Sequence, residues 1–220
     1  MLGVQVDIPL LDRVPEEARR DVLEVARRRR FSRNDVVFHE GDEGDTLYLL
    51  LKGHVAVRTT TPAGDVAMVR VISAGQIFGE LALLGPAPRS ATVAALDACE
   101  TLALHRQVID RLRAAHRSID DLLLEALAAE IRRLASQLRD SMYEPADKRL
   151  YRRLTELTEL FTAEAPVRIP LTQEDLAQLA GTTRPTVNKL LRSIEEAGII
   201  SVGRGRLEVL DPAALRERAR

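Results

Sequence analysis

The chain has 220 residues, 45% of them apolar and 30% charged, with a formal net charge of −1. Domains commonly run to about 100–150 residues, so this length holds two, with real cores and no global basicity; any nucleic-acid surface must be local. No run of about 18 apolar residues exists to cross a bilayer, and the opening MLGVQVDIPLLDR lacks the basic-then-apolar order of a signal peptide, so a cytoplasmic chain is expected.

Residues 10–30 set Leu11, Val14, Ala18, Val22, Val25 and Ala26 at helical spacing and end in four arginines. This predicts an amphipathic helix whose basic end is solvated and complements the helix dipole, although such a cluster also admits a nucleic-acid reading. From Phe31 to Leu104 the texture changes to β-rich runs (VVF, TLYLLL, HVAVRTTT, VAMVRVI, ATVAAL, ETLAL), separated by turn signals at Gly41, Gly44, Gly53, Gly64, Gly75 and Asp97. Short strands with such frequent turns predict an antiparallel barrel or jelly roll. Cys99, the single cysteine, excludes an internal disulfide and any multi-cysteine metal or iron–sulfur cage, and is expected to be a small buried apolar residue.

Helical periodicity returns after Arg106. Leu124, Leu127, Ile131, Leu134 and Leu138 alternate spacings of three and four, the mark of a heptad seam. Such a face packs either on the chain's own barrel or on a second copy. The segment is roughly 36 Å long at 1.5 Å per residue, more than a small barrel covers, so a homodimer seam is expected. Pro145 closes this helix. Residues 146–161 form another amphipathic helix on Leu150, Leu154, Leu157, Leu160 and Phe161, and AEAPVRIP reads as a loop.

The stretch LTQEDLAQLAGTTRPTVNKLLRSIEEAGII carries its own punctuation. Thr172 and Asp175 have capping-box spacing, Gly181 supplies a tight turn, Thr183 caps a second helix, and Pro185 falls in that helix's first turn. Val187, Leu190, Leu191 and Ile194 point inward. Thr182, Arg184, Thr186, Asn188, Lys189 and Arg192 are left mostly outside, as a helix that enters the major groove requires. ISVGRGRLEVL reads as a two-stranded wing with Arg204 and Arg206 at a tip able to reach phosphates. The alternative is a ligand-free packing module of a helical hairpin and a β-hairpin.

One loop, FGELALLGPAPRSAT, holds Gly79, Glu80, Leu81, Arg89 and Ser90. A carboxylate only accepts hydrogen bonds and a guanidinium holds a phosphate in a charge-assisted pair, so the loop suits a ligand bearing both a hydroxyl and a phosphate. A Glu80–Arg89 ion pair stabilising an empty loop is the competing reading.

Taken together, VVFHEGDEGDTLYLLLKGHVAV, FGELALLGPAPRSATV, the long helix and LTQEDLAQLAGTTRPTVNKLLRSIEEAGII resemble the cyclic-AMP receptor protein and FNR family of bacterial transcription regulators, from about Pro9 to Leu210. The resemblance implies an α+β chain: a cyclic-nucleotide-binding-type β jelly roll with flanking helices over 1–118, a dimerisation helix over 119–143 and a winged helix-turn-helix over 144–220. It implies a homodimer that binds a pseudo-palindromic operator in double-stranded DNA, modulated by cyclic AMP or a related nucleotide, in contact with RNA polymerase. A constitutive regulator, a different effector and a nucleotide sensor without DNA binding are the alternatives. In this likeness Glu80 accepts from a ribose 2′-hydroxyl, Arg89 pairs with the cyclic phosphate, Ser90 donates to it, and Gly79 and Leu81 offer backbone; Thr172 joins the DNA-contacting set. Two departures stand out. Leu134 and Ala135 occupy the helix positions where the best-known cyclic-AMP-responsive members use a threonine and a small polar residue to bond the adenine. Pro185 replaces a glutamate that would accept from cytosine N4, so the operator should depart from a TGTGA-type half-site.

An enzyme is not expected. Cupin-type metal chemistry would need clustered histidines, and His39, His54, His105 and His116 are isolated, without an H-x-H pair or HExxH. A haem-gated regulator would need an axial ligand, for which His54 or Cys99 has no supporting motif. No metal, haem or iron–sulfur cluster is expected.

Overall fold

The computed structural model describes residues 11–85, 87–161 and 165–220. The opening MLGVQVDIPLLDR, expected not to be a signal peptide, lies outside them up to residue 10, as does part of the AEAPVRIP loop. The chain forms two compact units, Met1–Thr59 with Ile72–Arg133, and Thr60–Val71 with Leu134–Arg220.

In the first unit, α1 (Glu16–Val25) buries Ala18 and Val22. The four arginines do not extend it. Ala26 adopts an extended backbone, ψ 139°, and Arg27–Phe31 is a strand, β1, paired antiparallel with β8 (Cys99–His105) from Arg27↔Ala103 to Phe31↔Cys99. Here tertiary pairing overrides a helical pattern that no glycine or proline punctuates. Phe31 packs against the barrel core while Arg28 and Arg30 reach Glu100 at 3.3 and 3.2 Å.

The remaining strands are β2 (Val36–Phe38), β3 (Thr46–Lys52), β4 (His54–Thr60), β5 (Val66–Ser73), β6 (Ile77–Phe78) and β7 (Thr92–Ala95). They form two four-stranded sheets, ordered β1-β8-β3-β6 and β2-β7-β4-β5, as a jelly roll. The nearly unbroken apolar run of β3 has a physical reason: both its faces are covered. Tyr48 and Leu50 pack between the sheets with Val55, Ile72, Phe78 and Val93. Leu47 and Leu49 pack on the other face against α1, α2 (Arg106–Ala115) and the start of α3 (Arg117–Tyr143), through Val22, Ile109, Leu112 and Leu122.

The second unit contains α4 (Ala146–Phe161), α5 (Gln173–Leu179) and α6 (Arg184–Glu196), whose buried residues Val187, Leu191 and Ile194 share one face. The wing is three-stranded rather than two-stranded. Within the expected AEAPVRIP loop, Val167–Ile169 forms β9 and pairs with β11 (Arg206–Val209), which pairs with β10 (Ile200–Gly203). Val167 and Ile169 alternate inward with exposed Arg168 between them, so the period-two signal is present but only three residues long. A further helix, α7 (Pro212–Arg218), follows the wing; Asp211 caps it by accepting from the Ala213 and Ala214 N–H groups, and Leu215 is buried.

Candidate functional site

The loop after β6 is built around one guanidinium. Arg89 is only 5% exposed, and Nη1 donates to the Gly79 carbonyl and Nη2 to the Thr46 carbonyl, each at 2.7 Å. Its carbon lies 4.1 Å from the Phe38 ring centroid, and Phe38 belongs to an aromatic cluster with Tyr48 and Phe78. Its Nε is buried and carries no hydrogen bond. The main chain of Arg89 is fixed from the opposite side, its N–H donating to the Asp42 carbonyl and its carbonyl accepting from the Gly41 N–H. Gly79 makes this approach possible: at φ +80°, a Cβ there would lie 2.6 Å from Arg89 Nη1 and 3.1 Å from the Thr46 carbonyl oxygen. Burial pushes the Arg89 guanidinium below its ordinary value, opposed by Tyr48, Asp45, Glu80 and Asp42. The result is a desolvated cation whose donors rest on neutral carbonyls. Glu80 is half-buried at the start of a short 3-10 turn, and Leu81 and Ser90 are exposed. Thr46 and Phe38 were not legible as site residues, because only the fold brings β2 and β3 to Arg89.

The helix-turn-helix follows its punctuation closely. Thr172 and Asp175 form the full capping box; the Thr172 hydroxyl donates to the Asp175 carboxylate at 2.7 Å and accepts from the Asp175 N–H at 3.1 Å. Gly181 takes φ +59° in the turn. Thr183 caps α6, and its hydroxyl lies 2.9 Å from that of Thr186. Arg149, on α4, braces the turn, donating to the Ala180, Gly181 and Glu144 carbonyls at 2.9, 2.8 and 2.7 Å. Sequence spacing held no signal for this brace, since it joins residues some thirty positions apart.

On the outer face, Arg184, Lys189 and Arg192 are exposed, while Thr182, Thr186 and Asn188 are half-buried. Among the described residues, the side chains of Arg184, Lys189, Arg192 and Arg204 have no hydrogen-bond or ion-pair partner. Arg206 lies 3.6 Å from Glu208. A cleft of about 410 Å³ runs between the wing tip and the helix-turn-helix, walled by Arg184, Arg204 and Arg206 and by Thr172 and Glu174. Its cationic wall suits a phosphate backbone.

Along α3, Leu124, Ile131, Leu134 and Leu138 are 63, 67, 50 and 62% exposed, and Leu127 is half-buried. Ala135 is exposed beside them. Cys99 is buried; its thiol donates to the His54 carbonyl, and burial, reinforced by the Asp97 carboxylate, pushes it up to about 11.

A jelly roll followed by a winged helix-turn-helix with an uncommitted cationic face defines a DNA-binding regulator of transcription. Residues 28–116 match the cyclic nucleotide-binding domain and residues 148–218 the Crp-like helix-turn-helix domain. The chain is 30% identical over 194 residues to a CRP-like cAMP-activated global transcriptional regulator of Mycobacterium tuberculosis, covering 86% of this chain and 87% of the relative. It is 32% identical over 200 residues to the cyclic AMP receptor protein of Thermus thermophilus, covering 89% of each. Among solved structures, the Thermus thermophilus catabolite activator protein aligns at 30% identity and a TM-score of 0.56, covering 96% of this chain and 98% of the other. A CRP-family transcriptional regulator from the same organism aligns at 26% identity and 0.73, covering 87% and 96%. The chain belongs to the CRP/FNR family of transcriptional regulators.

Proposed function

We propose that the protein is a homodimeric, cyclic-nucleotide-modulated regulator that reads a pseudo-palindromic operator. The single observation that carries the ligand reading is Arg89: a buried guanidinium resting on neutral carbonyls, with one buried N–H unpartnered, is a site prepared for an anion. In this reading the cyclic phosphate takes Arg89 and Ser90, Glu80 accepts from the ribose hydroxyl, and Gly79 and Leu81 line it with backbone. The cAMP-activated M. tuberculosis regulator and the Thermus receptor support cyclic AMP as the ligand.

Leu134 and Ala135 cannot hydrogen-bond a base, and each missing contact removes about 1 kcal/mol. We therefore assign the nucleotide a modulating role in a dimer already partly competent for DNA. The exposed Leu124, Ile131, Leu134 and Leu138 support a seam with a second copy. The division into a roll over 1–118, a dimerisation helix over 119–143 and a DNA-binding domain over 144–220 belongs to the same reading, as does contact with RNA polymerase. Two-fold symmetry then sets half-sites one helical turn apart, roughly 34 Å. Thr172, Thr182, Thr183, Arg184, Thr186, Asn188, Lys189, Arg192, Arg204 and Arg206 form the DNA face.

The test is selection of bound sequences from random duplex DNA with and without cyclic AMP, paired with calorimetry of cyclic AMP and cyclic GMP. A palindromic operator whose affinity changes less than a hundredfold with nucleotide is expected. No heat with either nucleotide would overturn the ligand reading, and a change of a hundredfold or more would overturn the modulating role.

A further inference from the structure

Helix α6 presents an unusual pair of residues at its groove-facing start. Arg184, at its first position, is exposed and unpartnered. Pro185 follows, also exposed, and its ring offers the solvent neither a donor nor an acceptor. The Thr186 hydroxyl is engaged with that of Thr183 at 2.9 Å. One turn after Arg184 stands Asn188, whose Oδ1 is buried without any hydrogen bond. An orphaned amide oxygen on a DNA-facing helix calls for an explanation, since buried polar groups are nearly always paired. Residues three apart on a helix are surface neighbours, with Cβ atoms about 5–6 Å apart, so Pro185 and Asn188 face one small patch of any ligand laid along α6.

Major-groove chemistry identifies that patch. The one apolar feature that a base pair shows there is the thymine C5-methyl, and the edge that matches an amide's acceptor and donors is adenine, N6–H to the oxygen and N7 to the nitrogen. One A·T pair carries both. We propose that Pro185 and Asn188 jointly read a single A·T base pair adjacent to a guanine read by Arg184, the proline against the thymine methyl and the asparagine, swung from its unpaired position, on the adenine edge. This rests on the reading of α6 as the recognition helix.

The experiment selects operators for the wild-type full-length chain, Pro185→Glu and Asn188→Ala, and then measures wild-type affinity for the selected operator carrying uracil for thymine, or 7-deazaadenine for adenine, at that pair. Loss of one methyl contact is expected to weaken binding about fourfold, and loss of the N7 acceptor about fivefold. Glutamate at the second position of a helix complements the dipole, so Pro185→Glu is expected to fold and to move the preference at that pair toward C·G, while Asn188→Ala loses the adenine preference. If both analogues bind within twofold of the natural operator, or if both variants select the wild-type half-site, the inference is overturned while DNA binding stands. A wild-type chain that selects no sequence at all overturns the recognition-helix reading and this inference with it.

Discussion

Replacing Arg89 by methionine tests whether the loop after β6 is organised by a cation. The substitution keeps an unbranched stem only as far as the position of Nε and leaves the Gly79 and Thr46 carbonyls without the donors they now have at 2.7 Å. Each buried, unpaired acceptor costs about 1–3 kcal/mol. Losing the contact over Phe38 at 4.1 Å removes about 0.5–1 kcal/mol more. Removing a desolvated charge returns part of this, for burial already pushes Arg89 below its ordinary value. The balance is roughly 2–4 kcal/mol of destabilisation, and at about 2–4 °C per kcal/mol for a chain of this size the melting temperature falls by roughly 5–15 °C. Thermal denaturation measures this, and calorimetry with cyclic AMP is expected to show no heat. Arg89→Lys keeps the charge without the fork and should recover stability only partly. A methionine variant that melts within about 2 °C of the wild type and still binds nucleotide would refute the reasoning.

Gly79→Ala should mimic that variant without touching the arginine, because the added Cβ lands 2.6 Å from Nη1 at a φ of +80°; nucleotide affinity and melting temperature should both fall. Ile131→Glu, at a position of the proposed seam 67% exposed in the single chain, should shift the proposed dimer to monomer in sedimentation at micromolar concentration, since each buried aliphatic side chain contributes about 1.5–3 kcal/mol and the symmetry counts it twice. Arg184→Ala is expected to weaken operator binding by about 1–3 kcal/mol and spare random duplex, whereas Arg204→Ala should weaken both and lower the salt slope by about one; gel shifts at several salt concentrations separate them. Cys99 should resist alkylation at pH 8 until the chain unfolds. The folded thiol keeps its proton up to about 11, against 9.0 ordinarily, so its contribution is complete below pH 9 and is lost as pH rises toward 11; a Cys99→Ala variant should lose less stability over that window in urea denaturation.

The parts of this protein set by local chemistry were legible in the amino-acid order. Caps at Thr172 and Thr183, the turn at Gly181, the span of α4 and the 3-4 spacing along α3 depend on residues within a few positions of one another. The Glu80–Arg89 loop was likewise legible as chemistry. Its geometry was not: that Arg89 rests on the carbonyls of Gly79 and Thr46 follows from strands that meet only in the roll. The four arginines after α1 show the same division. Their charge predicted a solvated helix end, but pairing with β8 made them a strand, since long-range ladder hydrogen bonds outweigh weak helical propensity where no residue marks a stop. Strand β9 and the Arg149 brace were decided the same way, by partners distant in sequence. What the chain determines alone is where its elements begin, end and turn; which buried groups meet is settled only when folding brings remote carbonyls and donors together out of water.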